Sequence, residues 1–321
     1  MGLARYIKNQ FRHDRNVKKA FQDQYEELML IRQLLVEQRC LSLNEKTMNS
    51  HEMGITEERL CDHEVVVSLT SYGNRIYDVS LVIESIMQGT VKPNRIVLWL
   101  AEEEFKGKAL PKALGIQKSR GMQVEYCEDI LSYKKLIPSL KMFPDACIVT
   151  IDDDLLYPHD FIERLIEAHL NNPNAICAYR LRTIDLGAGG KPASYVNWGY
   201  YLRNTEVDSK LLFPTTGGGV IFPPNCFNQE VFNQNAFMAL CPYADDVWFY
   251  AMGLLNGTQV IPVYTNKPFG NYVELPSSFI DALYTENTDP NNCRNDIQIK
   301  AVFEKYGLYD KLKAHSDCKR E

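Results

Sequence analysis

Hydrophobic positions in this chain change period as they go, and the change divides it. From His63 onward, short apolar runs alternate with segments of helical spacing. Val65-Val66-Val67-Ser68-Leu69 predicts a buried strand, and residues 77 to 88 predict a helix with Val79, Val82, Ile83 and Ile86 turned inward. Arg95 to Leu100 and Met122 to Tyr126 predict the next two strands, with a helix over 133 to 142. The run Ala146-Cys147-Ile148-Val149-Thr150-Ile151 predicts a fourth strand, followed by a helix over 159 to 170 and a strand over Ala175 to Tyr179. Such alternation predicts a parallel α/β sheet with right-handed crossovers. Ligands of open α/β sheets lie beyond the carboxyl ends of the strands, so the segments after each strand are where chemistry is expected.

Before His63 the pattern is helical. Leu3, Ile7 and Phe11 recur at helical spacing among Arg5, Lys8, Arg12, Arg15, Lys18 and Lys19. Residues 1 to 20 thus form a basic amphipathic helix that can rest on an anionic membrane surface or pack, solvated, on its own protein. Phe21, Tyr25, Leu28, Ile31 and Leu35 continue the pattern. The Leu28 to Leu35 spacing allows a short coiled coil in a homodimer. A polar stretch from Ser42 to Glu58 follows. Past residue 185, glycine-rich and aromatic segments (Gly187 to Pro192, Trp198 to Tyr201, Phe213 to Gly219) predict loops and short strands that shape a cleft.

Composition narrows the classes. With 321 residues, 45% hydrophobic and 24% charged, the chain can bury a full core. A formal net charge of -6 excludes a general nucleic-acid binder, because no basic field would neutralise phosphates. The nine cysteines are scattered, without a C-x-x-C pair or a zinc-like Cys/His spacing, which fits reduced thiols in a cytoplasmic compartment. No stretch approaches about 20 consecutive apolar residues, so no spanning helix is expected.

The densest chemistry follows the fourth strand. Asp152, Asp153 and Asp154 are adjacent, and adjacent carboxylates repel unless cations or donors compensate them. In an extended segment Asp152 and Asp154 point to one side and Asp153 to the other, so the first and third can converge on a hard cation in a D-x-D arrangement. The plain alternative is a helix cap, which needs one such residue rather than three. The spacing required for an EF-hand is absent, as is a G-x-x-x-x-G-K-[ST] loop. Asp245 and Asp246 open a second apolar helical stretch beside Trp248. One carboxylate can cap that helix while the other acts as a general base, and Trp248 can stack on a sugar. Arg75, Lys134 and Lys135, with Arg180 and Arg182, are the basic residues able to meet a diphosphate, and Tyr72 can stack on a nucleobase.

Ser68-Leu69-Thr70-Ser71-Tyr72 with Arg75, Ser132 to Pro138, Ile151-Asp152-Asp153-Asp154 with Tyr157-Pro158, and Ala244-Asp245-Asp246-Val247-Trp248 together resemble a bacterial GT-A glycosyltransferase. The similarity is to family-two-like enzymes of surface polysaccharide or lipopolysaccharide synthesis. It covers roughly residues 63 to 265. The resemblance implies a GT-A fold, Rossmann-like, with a mixed, mainly parallel sheet flanked by helices and an N-terminal helical extension. It divides the chain into the extension (1–62), a nucleotide-sugar-binding half (63–158), an acceptor-binding half (159–270) and a C-terminal segment (271–321). It further implies a nucleotide-sugar donor such as a UDP-sugar, a Mn2+ or Mg2+ ion, and transfer to a hydroxyl of a glycan or lipid-linked glycan at the inner face of the membrane.

By position, Asp152 would serve the metal or the ribose and Asp154 the metal. Asp246, with Asp245 as the competing choice, would deprotonate the acceptor. Thr70, Tyr72, Arg75, Asp129, Lys134, Lys135 and Asp153 would surround the donor nucleotide. Gly217, Gly218, Gly219, Trp198 and Trp248 would line the sugar and acceptor pocket. His315, Asp296 or water would complete the metal shell, or the donor phosphates would mainly hold the metal. Two rivals stay open: a sugar nucleotidyltransferase, which would carry a Gly-rich basic loop after its first strand, and a non-catalytic glycan-binding relative.

Overall fold

The computed structural model describes residues 2–187, 190–201, 206–264, 272–279, 286–289 and 292–313, with side chains from residue 17 onward. The first element, α1, is one continuous helix from Gly2 to Asn49. Two helical patterns and a polar stretch were expected from the sequence. The single helix absorbs them because neither glycine nor proline occurs between Gly2 and Gly54 to interrupt it. Along it Val17, Phe21, Leu28, Ile31 and Leu35 are solvent-exposed. Among the described residues no helix is long and apolar enough to cross a membrane. Residues 1–46 and 47–321 form two compact units.

In the larger unit the chain runs β1 (Val65–Thr70), α2 (Val79–Met87), β2 (Arg95–Ala101), α3 (Glu102–Phe105), α4 (Lys112–Ser119), β3 (Met122–Cys127), α5 (Ile137–Met142), β4 (Cys147–Thr150), β5 (Leu155–Leu156), α6 (Phe161–Asn171) and β6 (Ile176–Ala178). The expected strands and helices of this region are all present, within a few residues at their ends. Next come β7 (Leu181–Thr183), β8 (Gly199–Tyr200), β9 (Leu212–Pro214), β10 (Val220–Phe222), α7 (Gln234–Leu240) and α8 (Asp245–Asn256). The chain closes with β11 (Val260–Pro262), β12 (Val273–Glu274), α9 (Arg294–Tyr306) and α10 (Leu308–Lys313).

The central sheet has the order β11-β6-β10-β4-β1-β2-β3. It is parallel throughout except for β10, which lies antiparallel between β4 and β6. The sheet is thus mixed and mainly parallel, as the resemblance implied, with β10 inserted into the parallel series that periodicity predicts. Strand order is a long-range property, and periodicity carries no information about which strand enters between two others. β1 is buried along Val65 to Leu69, which explains its unbroken apolar run: with both faces covered, no polar alternation is needed.

The placement of β10 decides the site. Val220 pairs with Thr150, so the turn entering β10, Thr216-Gly217-Gly218-Gly219, runs beside the carboxyl end of β4. The three aspartates emerge there.

Candidate active site

β4 ends at Thr150, and the chain turns at Asp153 and Asp154 before β5. The segment is therefore not extended, and the alternation that would place Asp152 and Asp154 together with Asp153 turned away does not apply. Asp152 instead accepts a hydrogen bond from Lys135 Nζ at 2.9 Å. Asp153, buried, accepts from Ser71 Oγ at 2.7 Å and from Arg75 Nη1 at 3.0 Å. Asp154 shares the same guanidinium nitrogen at 2.7 Å. Arg75 thus clamps Asp153 and Asp154 while lying 5.2 Å from the centroid of the Tyr72 ring.

The acidic pair opens α8. Asp246 Oδ1 accepts from both the backbone N–H of Thr216, at 2.7 Å, and its hydroxyl, at 2.6 Å. Among the described residues its Oδ2 accepts nothing. Asp245 is buried and meets Lys135 Nζ at 3.2 Å. Both carboxylates sit in the first turn of a 12-residue helix, where unpaired backbone N–H groups favour negative charge. Lys135 therefore bridges two constellations about ninety residues apart in sequence. Its own position comes from the 3-10 turn Leu131–Lys135, whose last carbonyl accepts from Ser68 Oγ of β1 at 2.6 Å.

Tyr157 and the glycine turn hold Asp152 in place. The backbone N–H of Asp152 donates to the buried hydroxyl of Tyr157 at 2.9 Å, and that hydroxyl donates to the Gly217 carbonyl at 2.6 Å. A Cβ at Gly217 would fall 1.5 Å from Asp152 Oδ2, and one at Gly218 would fall 2.4 Å from Arg180 Cβ. Gly219 has φ +94°, a backbone conformation that side-chain-bearing residues rarely adopt. We expect Gly217→Ala to displace the Asp152 carboxylate, lowering turnover at least tenfold and stability by about 1–3 kcal/mol, read from a kinetic assay and a thermal melt. Unchanged kinetics would show that this close approach is dispensable.

The electrostatics follow from these contacts. Burial opposes charge on Asp152, but Lys135, with Arg180 and Arg75 beyond it, holds its carboxyl below the ordinary value. Burial, with Asp152 and Asp153 nearby, pushes Asp154 up to about 6 against the pull of Arg75. Burial and the neighbouring Asp245 push Asp246 up to about 6 against Lys135 and Thr216. Burial works against the charge of Lys135, yet Asp152, Asp245 and Asp246 hold its ammonium well above the usual range. The network joins five carboxylates (Asp152, Asp153, Asp154, Asp245, Asp246) to three cations (Lys135, Arg75, Arg180), and 5 − 3 leaves two negative charges uncompensated when all are ionised.

Solved structures that the chain resembles distantly include two enzymes. It is similar to a crystal structure of 4-diphosphocytidyl-2C-methyl-D-erythritol synthase, with 10% identity over 68% of this chain and 95% of that one and a TM-score of 0.42. It is likewise similar to glucosyl-3-phosphoglycerate synthase from Mycobacterium tuberculosis, solved with Mn2+, uridine diphosphate and phosphoglyceric acid. There the identity is 12% over 77% of this chain and 79% of that one, with a TM-score of 0.41. Likenesses this remote carry no chemistry with them. No protein-family model and no curated protein matches the sequence.

Several expected residues lie elsewhere. Trp248 is wholly buried, donates Nε1 to the Val231 carbonyl at 3.1 Å and packs on Phe237 and Tyr306. Trp198 is 3% exposed and packs between Tyr195 and Phe213. Both tryptophans are core residues and offer no stacking face, because the helix and loop that carry them turn these positions inward. Thr70 donates its hydroxyl to the Trp99 carbonyl at 2.8 Å. Lys134, buried, pairs with Asp129 rather than with the three aspartates. Asp296 is engaged by Ser194 Oγ and the Tyr195 N–H, at 2.5 and 2.6 Å, and His315 lies outside the described residues. Tyr157 and Thr216 had no role assigned from sequence. The only signal for either was position, since Tyr157 lies three residues after the last aspartate and Thr216 immediately precedes the glycine run.

Proposed function

We propose that this protein is a metal-dependent glycosyltransferase of the GT-A kind, moving a sugar from a nucleotide-sugar donor such as a UDP-sugar to a hydroxyl of a glycan or lipid-linked glycan. The supporting observation is the convergence of Asp152–Asp154 and Asp245–Asp246 at the carboxyl edge of a mainly parallel sheet, bridged by Lys135 and carrying two uncompensated negative charges. A single Mn2+ or Mg2+ ion would neutralise that surplus. Asp152 and Asp154, both partly exposed carboxylates, fit a hard cation as its ligands. When bound, the metal supplies charge stabilisation to the departing diphosphate.

The protein's own groups have separable tasks. Asp246 is the base: Thr216 fixes one carboxylate oxygen, leaving Oδ2 to accept the proton of the attacking hydroxyl. Asp245 raises the proton affinity of Asp246 by its like charge. Lys135 keeps Asp152 ionised and pairs with Asp245. Arg75 and Arg180 add positive charge toward the phosphates, and the buried Asp153 orients Arg75. Attack from the face opposite the leaving diphosphate inverts the anomeric carbon in one displacement.

The test is a panel of nucleotide sugars with Mn2+ and hydroxyl acceptors, with release of nucleoside diphosphate as the readout. Release dependent on Asp154 and Asp246 is expected. Pyrophosphate release would instead identify a nucleotidyltransferase, and sugar binding without turnover a glycan-binding relative.

The N-terminal helix is proposed to join two copies. Val17, Phe21, Gln24, Leu28, Ile31, Leu35 and Gln38 alternate steps of four and three, a heptad seam that is exposed on α1. Leu28→Lys with Leu35→Lys should halve the mass measured by light scattering; an unchanged mass would refute pairing through α1. The basic residues of 1–20 are proposed to meet the inner face of the membrane, and sedimentation with anionic liposomes should decline when they are replaced by glutamine.

A further inference from the structure

A second cluster of ligand-type side chains lies away from the aspartates. Cys61 precedes β1, Cys147 is the first residue of β4, and His169 lies in the last turn of α6. Their Sγ, Sγ and ring-nitrogen atoms all lie within 4.8 Å of one another. Cys147 Sγ is 3.4 Å from His169 Nε2, and Cys61 Sγ is 3.1 Å from the His63 carbonyl oxygen. All three side chains are buried, at 7%, 0% and 2% exposure. Cys147 pairs with Val65 at the start of both strands, whereas Asp152 lies five residues on, about 16 Å along the strand direction. The cluster therefore sits at the opposite edge of the sheet from the proposed active site.

We propose that Cys61, Cys147 and His169 bind a zinc ion that pins the segment before β1 to β4 and α6. Three arguments support this site. Zinc bonds of about 2.3 Å to sulfur and 2.0 Å to nitrogen place tetrahedral ligand atoms roughly 3.5–3.8 Å apart, against 3.4 Å between Cys147 Sγ and His169 Nε2 and no more than 4.8 Å for the other pairs. Two thiolates and a neutral imidazole balance a divalent cation, so the occupied site carries no net charge into an apolar interior. His169 Nε2, the ring nitrogen 3.4 Å from Cys147 Sγ, faces the cluster and can supply a neutral nitrogen ligand. Binding displaces one proton from each thiol to solvent, and the fourth position goes to water or to the His63 carbonyl oxygen. The ligands are 86 and 22 residues apart, so no spacing motif reveals them.

The full chain, purified without chelator, should carry about one zinc per molecule by atomic emission, and cobalt should replace it with thiolate-to-metal charge-transfer absorption. Cys61→Ser and His169→Gln should each weaken zinc at least tenfold in chelator competition, while Cys177→Ser, at a buried thiol outside the cluster, should keep it. Cys61 lies in a connector, and circular dichroism will verify that its variant remains folded. Absence of zinc binding at micromolar metal would overturn the site. So would equal affinity in Cys61→Ser and Cys177→Ser, or a Cys61–Cys147 disulfide in freshly isolated protein.

Discussion

Asp246→Asn is expected to lower the turnover of sugar transfer by about 10²–10⁴-fold, the usual contribution of a positioned general base. The substitution should preserve the fold. An amide oxygen can still accept both hydrogen bonds from Thr216, so the first turn of α8 keeps its anchor to the glycine turn while losing only the ability to take a proton. The same assignment predicts a pH profile. Asp246, pushed up to about 6, must be deprotonated to act, so activity is present above that value and falls as pH drops through it. Asp154 titrates in the same window, so the acidic limb reports both carboxyls rather than one residue. Asp245→Asn should cost less activity and move that limb to lower pH, because the like charge that raises Asp246 is removed. Steady-state kinetics between pH 5 and 8 check both statements; full turnover in Asp246→Asn would assign the base elsewhere.

Asp154→Asn should abolish metal-dependent activity yet leave the metal-free protein as stable as the parent, or more stable, at neutral pH. The sign follows from the proton balance. With a folded value near 6 and an ordinary carboxyl near 4, the native state holds a proton that the unfolded chain has lost between those values. Stability therefore falls as pH rises through this window, by roughly 2–3 kcal/mol for such a displacement, and an uncharged asparagine escapes that loss. A divalent ion reverses the penalty by binding the ionised form. At about 100 times its dissociation constant, Mn2+ should stabilise the parent by about 2.7 kcal/mol, a shift of about 5 °C. That shift should fall to about half at pH 5, where roughly a tenth of Asp154 is ionised and the apparent dissociation constant rises about tenfold, and it should be absent from Asp154→Asn at any pH. Thermal melts with and without Mn2+ at pH 5 and 7.5 decide the matter. A metal-induced shift retained in the variant would remove Asp154 from the metal's ligands.

The two halves of the site differ in how visible they were. Asp152 to Asp154 and Asp245-Asp246 could be picked out because charge concentrated at the end of an apolar run is costly without a purpose. The tryptophans show where such reasoning failed. Trp248 sits two residues from Asp246 in sequence, but two helical steps rotate about 200°, enough to turn Trp248 into the core. Alternation failed at Asp153 for a related reason, since a two-residue period holds only while the strand persists and β4 ends at Thr150. The Cys61, Cys147 and His169 cluster escaped notice because its members come from a connector, a strand and a helix brought together only by folding.

Local sequence determined the elements: the apolar runs of β1, β2 and β4, the inward stripe of α2, and the breaker-free length of α1. These follow from period and propensity, which act over a few residues. Tertiary structure alone decided that β10 enters antiparallel between β4 and β6, that Gly217 thereby rests against Asp152, and that Lys135 bridges Asp152 and Asp245. Those relations depend on strand order and on compensation of buried charge across the whole sheet, which no short window of sequence contains.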